Sequence, residues 1–227
     1  MQKIVSLFVA ATLGAAPAYS QTQRPDHLMP ENSILSGGDS MFSAKYYGLV
    51  TDVLAEGYAR NVTLRAVVLP SFSPEYLLGL RETSSEGSTG YRVFYLRPTI
   101  HLWGYESPYE PKSRLPANPK DVPLVRCERP LDTAVAQQVS TAWTGILRET
   151  RYLPAEPSVG LDGIMYHFSA DLRWEGLLAG NVWSPDPGSK PGRLAELAET
   201  LARYCDGKAE ATELERQATE LTERLNK

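Results

Sequence analysis

The chain has 227 residues, of which 42% are hydrophobic and 22% charged, and its formal net charge is −4. This length and composition are typical of one folded globular domain and exclude a largely disordered chain. The acidic balance also argues against a general nucleic-acid-binding protein, which would carry a marked basic excess.

The N-terminal segment has the organisation of a secretory signal peptide. Lys3 gives a short positive region, and residues 4–14 form an apolar run of 11 residues, too short to span a bilayer as a helix. Small residues follow, and they suit cleavage after Ala18 or after Ser20. We therefore predict that residues 1–20 are a signal peptide. The mature chain is then exported, to the periplasm or the extracellular space, and does not insert into the membrane.

The next part of the chain predicts a lead-in, a helix and the first strands. Residues 21–40 are polar and rich in turn-forming residues, which indicates an irregular or flexible segment. Residues 41–59 have the length and apolar content of a helix. β-Branched and aromatic runs predict strands at 61–69, 76–82, 91–97 and 124–128, with 99–103 either extending the third or forming another.

A long loop separates these strands. Residues 104–123 contain five prolines, which block both helix interiors and central strands. Long loops of this kind tend to be functional or disordered, and Tyr and Trp are enriched at interaction hot spots. The candidate binding residues in and beside the loop are Trp103, Tyr105, Tyr109 and Arg114. The alternative is that the tyrosines only pack the loop onto its own sheet.

The second half of the chain predicts two amphipathic helices around a hairpin. Asp132 is the expected N-cap of the first helix, which should end near Arg151 because Pro154 follows. Residues 164–172 and 177–183 predict the hairpin. The motif WSPDPGSKPGRL turns the chain into the second helix, and nothing in the sequence gives that motif a function.

The last segment carries a narrow apolar seam. Its residues are Leu214, Ala218, Leu221 and Leu225, at spacings typical of two heptads. Such a helix packs on the domain, pairs with a partner helix or frays, and the sequence leaves these three possibilities open.

The element order as a whole predicts an α+β domain over residues 41–206, followed by a charged helix over residues 207–227. The domain would have an antiparallel sheet of about 5–6 strands with the two amphipathic helices packed on it.

The cysteines and histidines limit the chemistry. Cys127 and Cys205 are the only cysteines, and in an exported protein they predict one disulfide. A metal site built from the three histidines would need His27, which lies in the predicted lead-in, so we expect no metal. No familiar catalytic or nucleotide-binding motif is present, so we predict no cofactor and assign no catalytic residue. A hydrolase would have to use His101 or His167.

Alternation in GLDGIMYHFSADL (residues 160–172) predicts where His167 lies. Tyr166 and Phe168 occupy one face of this strand, and His167 occupies the other, as a histidine on the surface of the sheet.

The features together favour an exported, non-enzymatic binding protein that presents the Pro/Tyr-rich loop to another protein, as an inhibitor, an immunity-type protein or an envelope accessory factor. The alternatives are a small secreted hydrolase and an assembly component that docks through the C-terminal helix. The sequence does not indicate an oligomeric state.

Overall fold

The computed structural model of the chain describes residues 26–31, 41–85, 88–107, 115–152 and 162–226, so the predicted signal peptide lies outside it. The described residues form seven strands and four α-helices. The strands are β1 (Met29–Pro30), β2 (Val62–Pro70), β3 (Tyr76–Ser85), β4 (Ser88–Pro98), β5 (Leu124–Leu131), β6 (Ile164–Leu172) and β7 (Gly176–Trp183). The helices are α1 (Met41–Val53), α2 (Thr133–Arg148), α3 (Lys190–Cys205) and α4 (Ala211–Leu225).

The strands form one sheet in the order β1-β7-β6-β2-β3-β4-β5, and every neighbouring pair is antiparallel. This confirms the predicted α+β class. The sheet has seven strands rather than the predicted five or six. The difference is β1, which has only two residues and therefore no hydrophobic run that could have revealed it.

The described part of the lead-in differs from the flexible segment predicted over residues 21–40. Leu28 is completely buried, and Met29 and Pro30 pair with Asn181 and Gly180 of β7. A polar composition does not exclude this arrangement, because a single buried leucine and two backbone pairs are enough to hold so short a segment on a sheet edge.

Two other elements differ from the predictions at their ends. The β3–β4 hairpin extends into the Ser/Thr/Gly-rich segment that was expected to be a loop, with Ser84 paired to Thr89. Residues 99–103 do not form a strand. Instead the chain turns after Pro98 and forms a 3₁₀ helix over Leu102–Tyr105.

The predicted amphipathic helices cover one face of the sheet. Asp132 Oδ1 accepts a hydrogen bond from the Ala134 amide at 2.8 Å, as expected of an N-cap. The indole of Trp143 on α2 is fully buried and meets the Phe168 ring edge-on at 5.3 Å. Packing α2 and α3 on the sheet thus encloses the larger of two hydrophobic cores.

The C-terminal helix packs on the domain, which is one of the three possibilities that its sequence leaves open. α4 lies against α2 and α3, and Leu214, Ala218 and Leu221 of its apolar seam are buried in the same core. Leu225 contacts Gly145 of α2 closely enough that a Cβ on the glycine would lie 2.4 Å from Leu225 Cδ1.

A smaller core lies on the opposite face of the sheet. It is enclosed by α1 and by the 3₁₀ helices over Ala55–Tyr58, Leu102–Tyr105 and Pro119–Asp121. Val50 and Leu54 are fully buried there against Leu77 and Phe94 of the sheet. Because both faces are covered, His167 on this second face is enclosed by protein.

The predicted disulfide is present. Cys127 on β5 and Cys205 at the end of α3 are bonded, with their Cα atoms 5.9 Å apart. The bond joins one edge of the sheet to the helical layer that covers it.

Candidate functional site

The base of the predicted binding loop is built around a buried carboxylate, Glu75. Its side chain is 0% exposed, and burying a charge requires hydrogen-bonding partners. Glu75 receives hydrogen bonds from the Tyr46 hydroxyl (2.7 Å) and from the backbone N–H groups of Leu102 (2.8 Å) and Trp103 (3.1 Å). His101 Nε2 lies 3.3 Å from the same carboxylate. Four groups on two chain segments, α1 and residues 101–103, therefore surround this carboxylate and hold the start of the loop in one position.

Trp103 and Tyr105 lie on one 3₁₀ helix at this base. Trp103 is 37% exposed, and its ring meets that of Tyr46 edge-on with centroids 5.0 Å apart. The Tyr105 hydroxyl donates to the Pro116 carbonyl at 2.8 Å, which ties the two ends of the loop together. Tyr109 and Arg114, the other predicted binding residues, lie outside the described residues.

His167 faces away from Tyr166 and Phe168, as the alternation predicts, but it does not lie on the surface. The histidine side chain is 3% exposed and that of Glu31 is 1% exposed, and His167 Nδ1 donates to Glu31 Oε2 at 2.5 Å. The Tyr47 ring of α1 meets the imidazole edge-on at 5.6 Å. The prediction of a sheet-surface histidine is therefore wrong, because Glu31, which follows β1, and Tyr47 of α1 cover a face that the alternation alone leaves open.

The space beside His167 is too small for a substrate. The enclosed cavity there has a volume of about 10 Å³ and is lined by Tyr58, Arg65 and Ser169 among others. A cavity of that size holds about one water molecule. His167 and Glu31 therefore form a structural pair in the smaller core, which is the second core of the protein.

A larger cleft opens on the other face of the sheet, where sequence reasoning placed no site. Its volume is about 370 Å³, within the range typical of small-molecule sites. It lies between the start of β6, the turn after β7 and the first half of α3. The lining residues are Ile164, Tyr166, Ser184, Pro185, Pro187, Gly192, Ala195, Glu196 and Glu199.

The WSPDPGSKPGRL motif forms the wall of this cleft. Ser184 has a left-handed backbone with φ 40°, a conformation that is unfavourable for a residue with a side chain. It is held there because Ser184 N–H donates to the Ile164 carbonyl at 2.7 Å, while Ser184 Oγ accepts from the Ile164 N–H at 2.9 Å. The turn then packs so closely on α3 that a Cβ on Gly192 would lie 1.9 Å from the Asp186 carbonyl oxygen.

Glu199 is the partly buried acid of the cleft. It accepts a hydrogen bond from the Tyr76 hydroxyl, and Tyr166 lines the cleft beside it. Burial raises the pKa of the Glu199 carboxyl, and the two tyrosine hydroxyls and Arg203 offset this only in part. Burial and the nearby carboxylate in turn raise the pKa of Tyr166 to about 12. A titratable group perturbed in this way inside a cleft is a common feature of functional sites.

We expect Glu199→Gln to change how stability depends on pH. Because burial raises the pKa of Glu199 above its ordinary value of 4.5, the folded protein retains a proton at pH values where the unfolded chain has released it. That contribution to stability is complete below pH 4.5 and is lost as the pH rises through the folded pKa. As the pH rises from 4.5 through the folded pKa of Glu199, the free energy of unfolding of Glu199→Gln should therefore fall less than that of the parent protein. Urea denaturation at a series of pH values measures both.

The matched control is Glu215→Gln on the exposed surface of α4. It should reproduce the pH profile of the parent protein. Parallel profiles for Glu199→Gln and the parent would contradict the assignment of a raised pKa to Glu199.

Within the described ranges, no group of three or more His, Cys, Asp or Glu side chains is arranged to hold a metal ion. The same ranges contain no helix with the length and apolar character needed to cross a bilayer.

No family model matches the chain, and no curated protein or solved structure is significantly similar to it. The two sites must therefore be interpreted from their own chemistry.

Proposed function

We propose that this chain is an exported, non-enzymatic binding protein that recognises another protein through the surface around Trp103. The observation that carries the proposal is the Glu75 network beneath this surface. A buried carboxylate that holds two consecutive backbone N–H groups, at Leu102 and Trp103, fixes the loop base before any partner arrives. Binding to a surface that is already ordered loses less conformational entropy.

The chemistry of Trp103 supports the same proposal. An indole that is 37% exposed and packed edge-on against Tyr46 offers a rigid, largely apolar contact. Tryptophan is enriched among the few interface residues that contribute most of the binding energy. Inhibitors, immunity-type proteins and envelope accessory factors all need such a presented surface and no catalytic group.

Export is part of the proposal and rests on two features. Residues 1–20 have the organisation of a signal peptide, and the Cys127–Cys205 disulfide suits an oxidising compartment. N-terminal sequencing of the protein recovered from the periplasm or the culture medium tests this. A chain recovered there that starts after Ala18 or Ser20 supports export with cleavage, whereas a chain found only in the cytoplasm with Met1 retained contradicts export.

We expect Trp103→Ala to lower the affinity for the protein partner at least about tenfold, as is typical of a hot-spot residue. The mature chain is immobilised and used to capture proteins from an extract of the host envelope. The affinity of each captured protein is then measured by surface plasmon resonance. Truncating the indole removes its contact area and leaves the Glu75 network in place, because that network uses the Trp103 backbone.

Trp174→Ala is the matched control. Trp174 is 90% exposed and lies in the β6–β7 turn, at the opposite end of the sheet from Trp103. It should leave the affinity unchanged. Equal losses for the two variants, or no loss for Trp103→Ala, would contradict recognition by the Trp103 surface.

The two alternative functions have less support. A hydrolase that used His167 would need space for a substrate, and the neighbouring cavity of about 10 Å³ provides none. In a hydrolase that used His101, Glu75 would orient the ring through Nε2, and a nucleophile would still be needed at Nδ1. An assembly role for the C-terminal helix would require the seam at Leu214, Ala218 and Leu221, which is buried against α2 and α3.

A further inference from the structure

We propose that the cleft between α3 and the WSPDPGSKPGRL turn, here called the α3 cleft, binds a small organic molecule that carries a protonated amine. The carboxylate of Glu199 would be the partner of that amine. This site is separate from the Trp103 surface, since it lies on the opposite face of the sheet, and it does not depend on the function proposed above.

The walls of the α3 cleft select a ligand with an apolar body. Ile164, Pro185, Pro187 and Ala195 are aliphatic, and Tyr166 contributes an aromatic ring. A space of about 370 Å³ is enough for a ring with a short side chain, but it is small for an entire folded segment of a partner protein. Apolar walls with a few convergent polar groups are the usual composition of small-molecule sites.

The charge of the α3 cleft selects a cation. Glu196 and Glu199 both line it, one helical turn apart on α3. Glu196 is paired with Arg193 at 2.8 Å, and both of these side chains are partly exposed. Glu199 is more deeply placed, and its hydrogen bond comes from the neutral Tyr76 hydroxyl. Among the described residues that line the cleft there are carboxylates and no basic side chain, so an anionic ligand would be repelled.

The environment of Glu199 also lacks full compensation for its charge. Burial raises the pKa of this carboxyl, and Arg203 lowers it by less than burial raises it. The surrounding Tyr76, Tyr95 and Tyr166 supply hydroxyl groups and no positive charge. A bound ammonium group would supply the missing opposite charge at low dielectric, where the interaction is stronger than in water.

The α3 cleft is formed before any ligand arrives. Ser184 is fixed in its left-handed conformation by two hydrogen bonds to Ile164. Ser189 caps α3 through the Gly192 N–H at 3.0 Å and its own N–H donates to the Asp186 carbonyl at 2.9 Å. Backbone strain that is maintained by such contacts tends to occur at functional sites. The distinctive turn motif thereby gains a role, since it shapes one wall of the cleft.

Three probes of nearly the same shape test the proposal. Benzylamine is cationic, benzyl alcohol is neutral and phenylacetate is anionic at pH 7.5. Each is titrated into the ¹⁵N-labelled mature chain, and the amide shifts of the cleft residues Ser184, Ala195 and Glu199 are followed by NMR. We expect benzylamine to bind there with a millimolar dissociation constant, at least about tenfold more tightly than benzyl alcohol, because a charge-assisted hydrogen bond contributes more than a neutral one. Phenylacetate should not shift these amides.

Two variants separate the charge from the shape of the α3 cleft. Glu199→Gln keeps the volume of the side chain. It should weaken the binding of benzylamine at least about tenfold and leave the binding of benzyl alcohol unchanged. Ala195→Leu fills part of the cleft and should weaken both probes. The same Glu215→Gln variant of α4 is the control and should change neither. The spectrum outside the cleft shows whether each variant is folded.

Several results would overturn the proposal. Equal affinity for benzylamine and benzyl alcohol would remove the role of charge, and binding of phenylacetate would reverse its sign. If no probe shifts the cleft amides, the cleft is not a site for amines. If Glu199→Gln fails to fold, Ala195→Leu still decides whether benzylamine occupies this cleft, because unchanged binding there would place the probe elsewhere.

Discussion

The double variant Cys127→Ala/Cys205→Ala is expected to lose about 4–5 kcal/mol of unfolding free energy, according to the chain-entropy estimate for a long loop. The disulfide joins residues separated by 78 positions in the sequence, so reducing it restores many conformations to the unfolded chain. In a protein of this size such a loss corresponds to a melting temperature about 10–15 °C lower. Urea denaturation and thermal melting monitored by circular dichroism measure the two quantities.

The reduced parent protein provides the control for this prediction. With a strong reductant present, the parent should show the stability of the double variant, and the reductant should not affect the variant itself. If the parent is equally stable in the oxidised and reduced states, the bond does not restrict the unfolded chain, and the prediction is wrong. If the prediction holds, a chain kept in a reducing compartment is markedly less stable than an exported one.

The elements that the sequence predicts well are those with long periodic patterns. α2 shows an apolar stripe that includes Val135, Val139 and Trp143, and all three are buried against the sheet. β6 alternates strictly, and its register with β7 places Leu172 opposite Gly176 as a tight hairpin requires. In these elements the apolar face that the local pattern marks is the face that packs in the larger core.

The predictions fail where packing brings together residues that are distant in the sequence. Alternation assigns His167 to the face opposite Phe168, but it does not reveal that Glu31, 136 positions away, covers that face. A two-residue strand such as β1 has no period at all. The same reason explains why residues 99–103 do not form a strand, since the backbone N–H groups of Leu102 and Trp103 bond to the distant, buried side chain of Glu75.

The α3 cleft illustrates a third limit. Its acid, Glu199, looks like an ordinary charged residue of an amphipathic helix, and Tyr166 looks like a core residue of β6. Only the fold shows that the two meet under the turn at Ser184. The one available signal was the unusual density of prolines and glycines in WSPDPGSKPGRL, which indicates a specific backbone shape without indicating its purpose.

The second large effect is expected from His167→Ala, which should lower the free energy of unfolding by about 3 kcal/mol, because a buried carboxylate loses a hydrogen-bond donor and the missing ring leaves a cavity. Glu31 is 1% exposed and receives the His167 Nδ1 hydrogen bond at 2.5 Å. Without the ring, the carboxylate stays in the second core and loses this close donor. Urea denaturation at pH 7 measures the loss.

His101→Ala is the comparison that isolates the effect of burial. His101 also faces a buried carboxylate, but its side chain is 28% exposed, and Glu75 keeps three other donors at 3.1 Å or less when the ring is removed. We therefore expect His101→Ala to reduce the unfolding free energy by only about 1 kcal/mol, the usual contribution of one hydrogen bond. Similar losses for the two histidines would contradict a special role for the His167–Glu31 pair.

A double-mutant cycle on His167→Ala and Glu31→Ala separates pairing from packing. The two side chains touch, so the double variant should be more stable than the sum of the single effects predicts, by about 1–3 kcal/mol. Because Glu31 directly follows β1, removing its contact with His167 should also release the β1–β7 pairing at Met29 and Asn181 before the rest of the sheet opens. Hydrogen exchange should then be faster at these amides than in α2. If the two single effects simply add, and hydrogen exchange at the β1–β7 amides is no faster than in α2, then His167 stabilises this core by its volume alone.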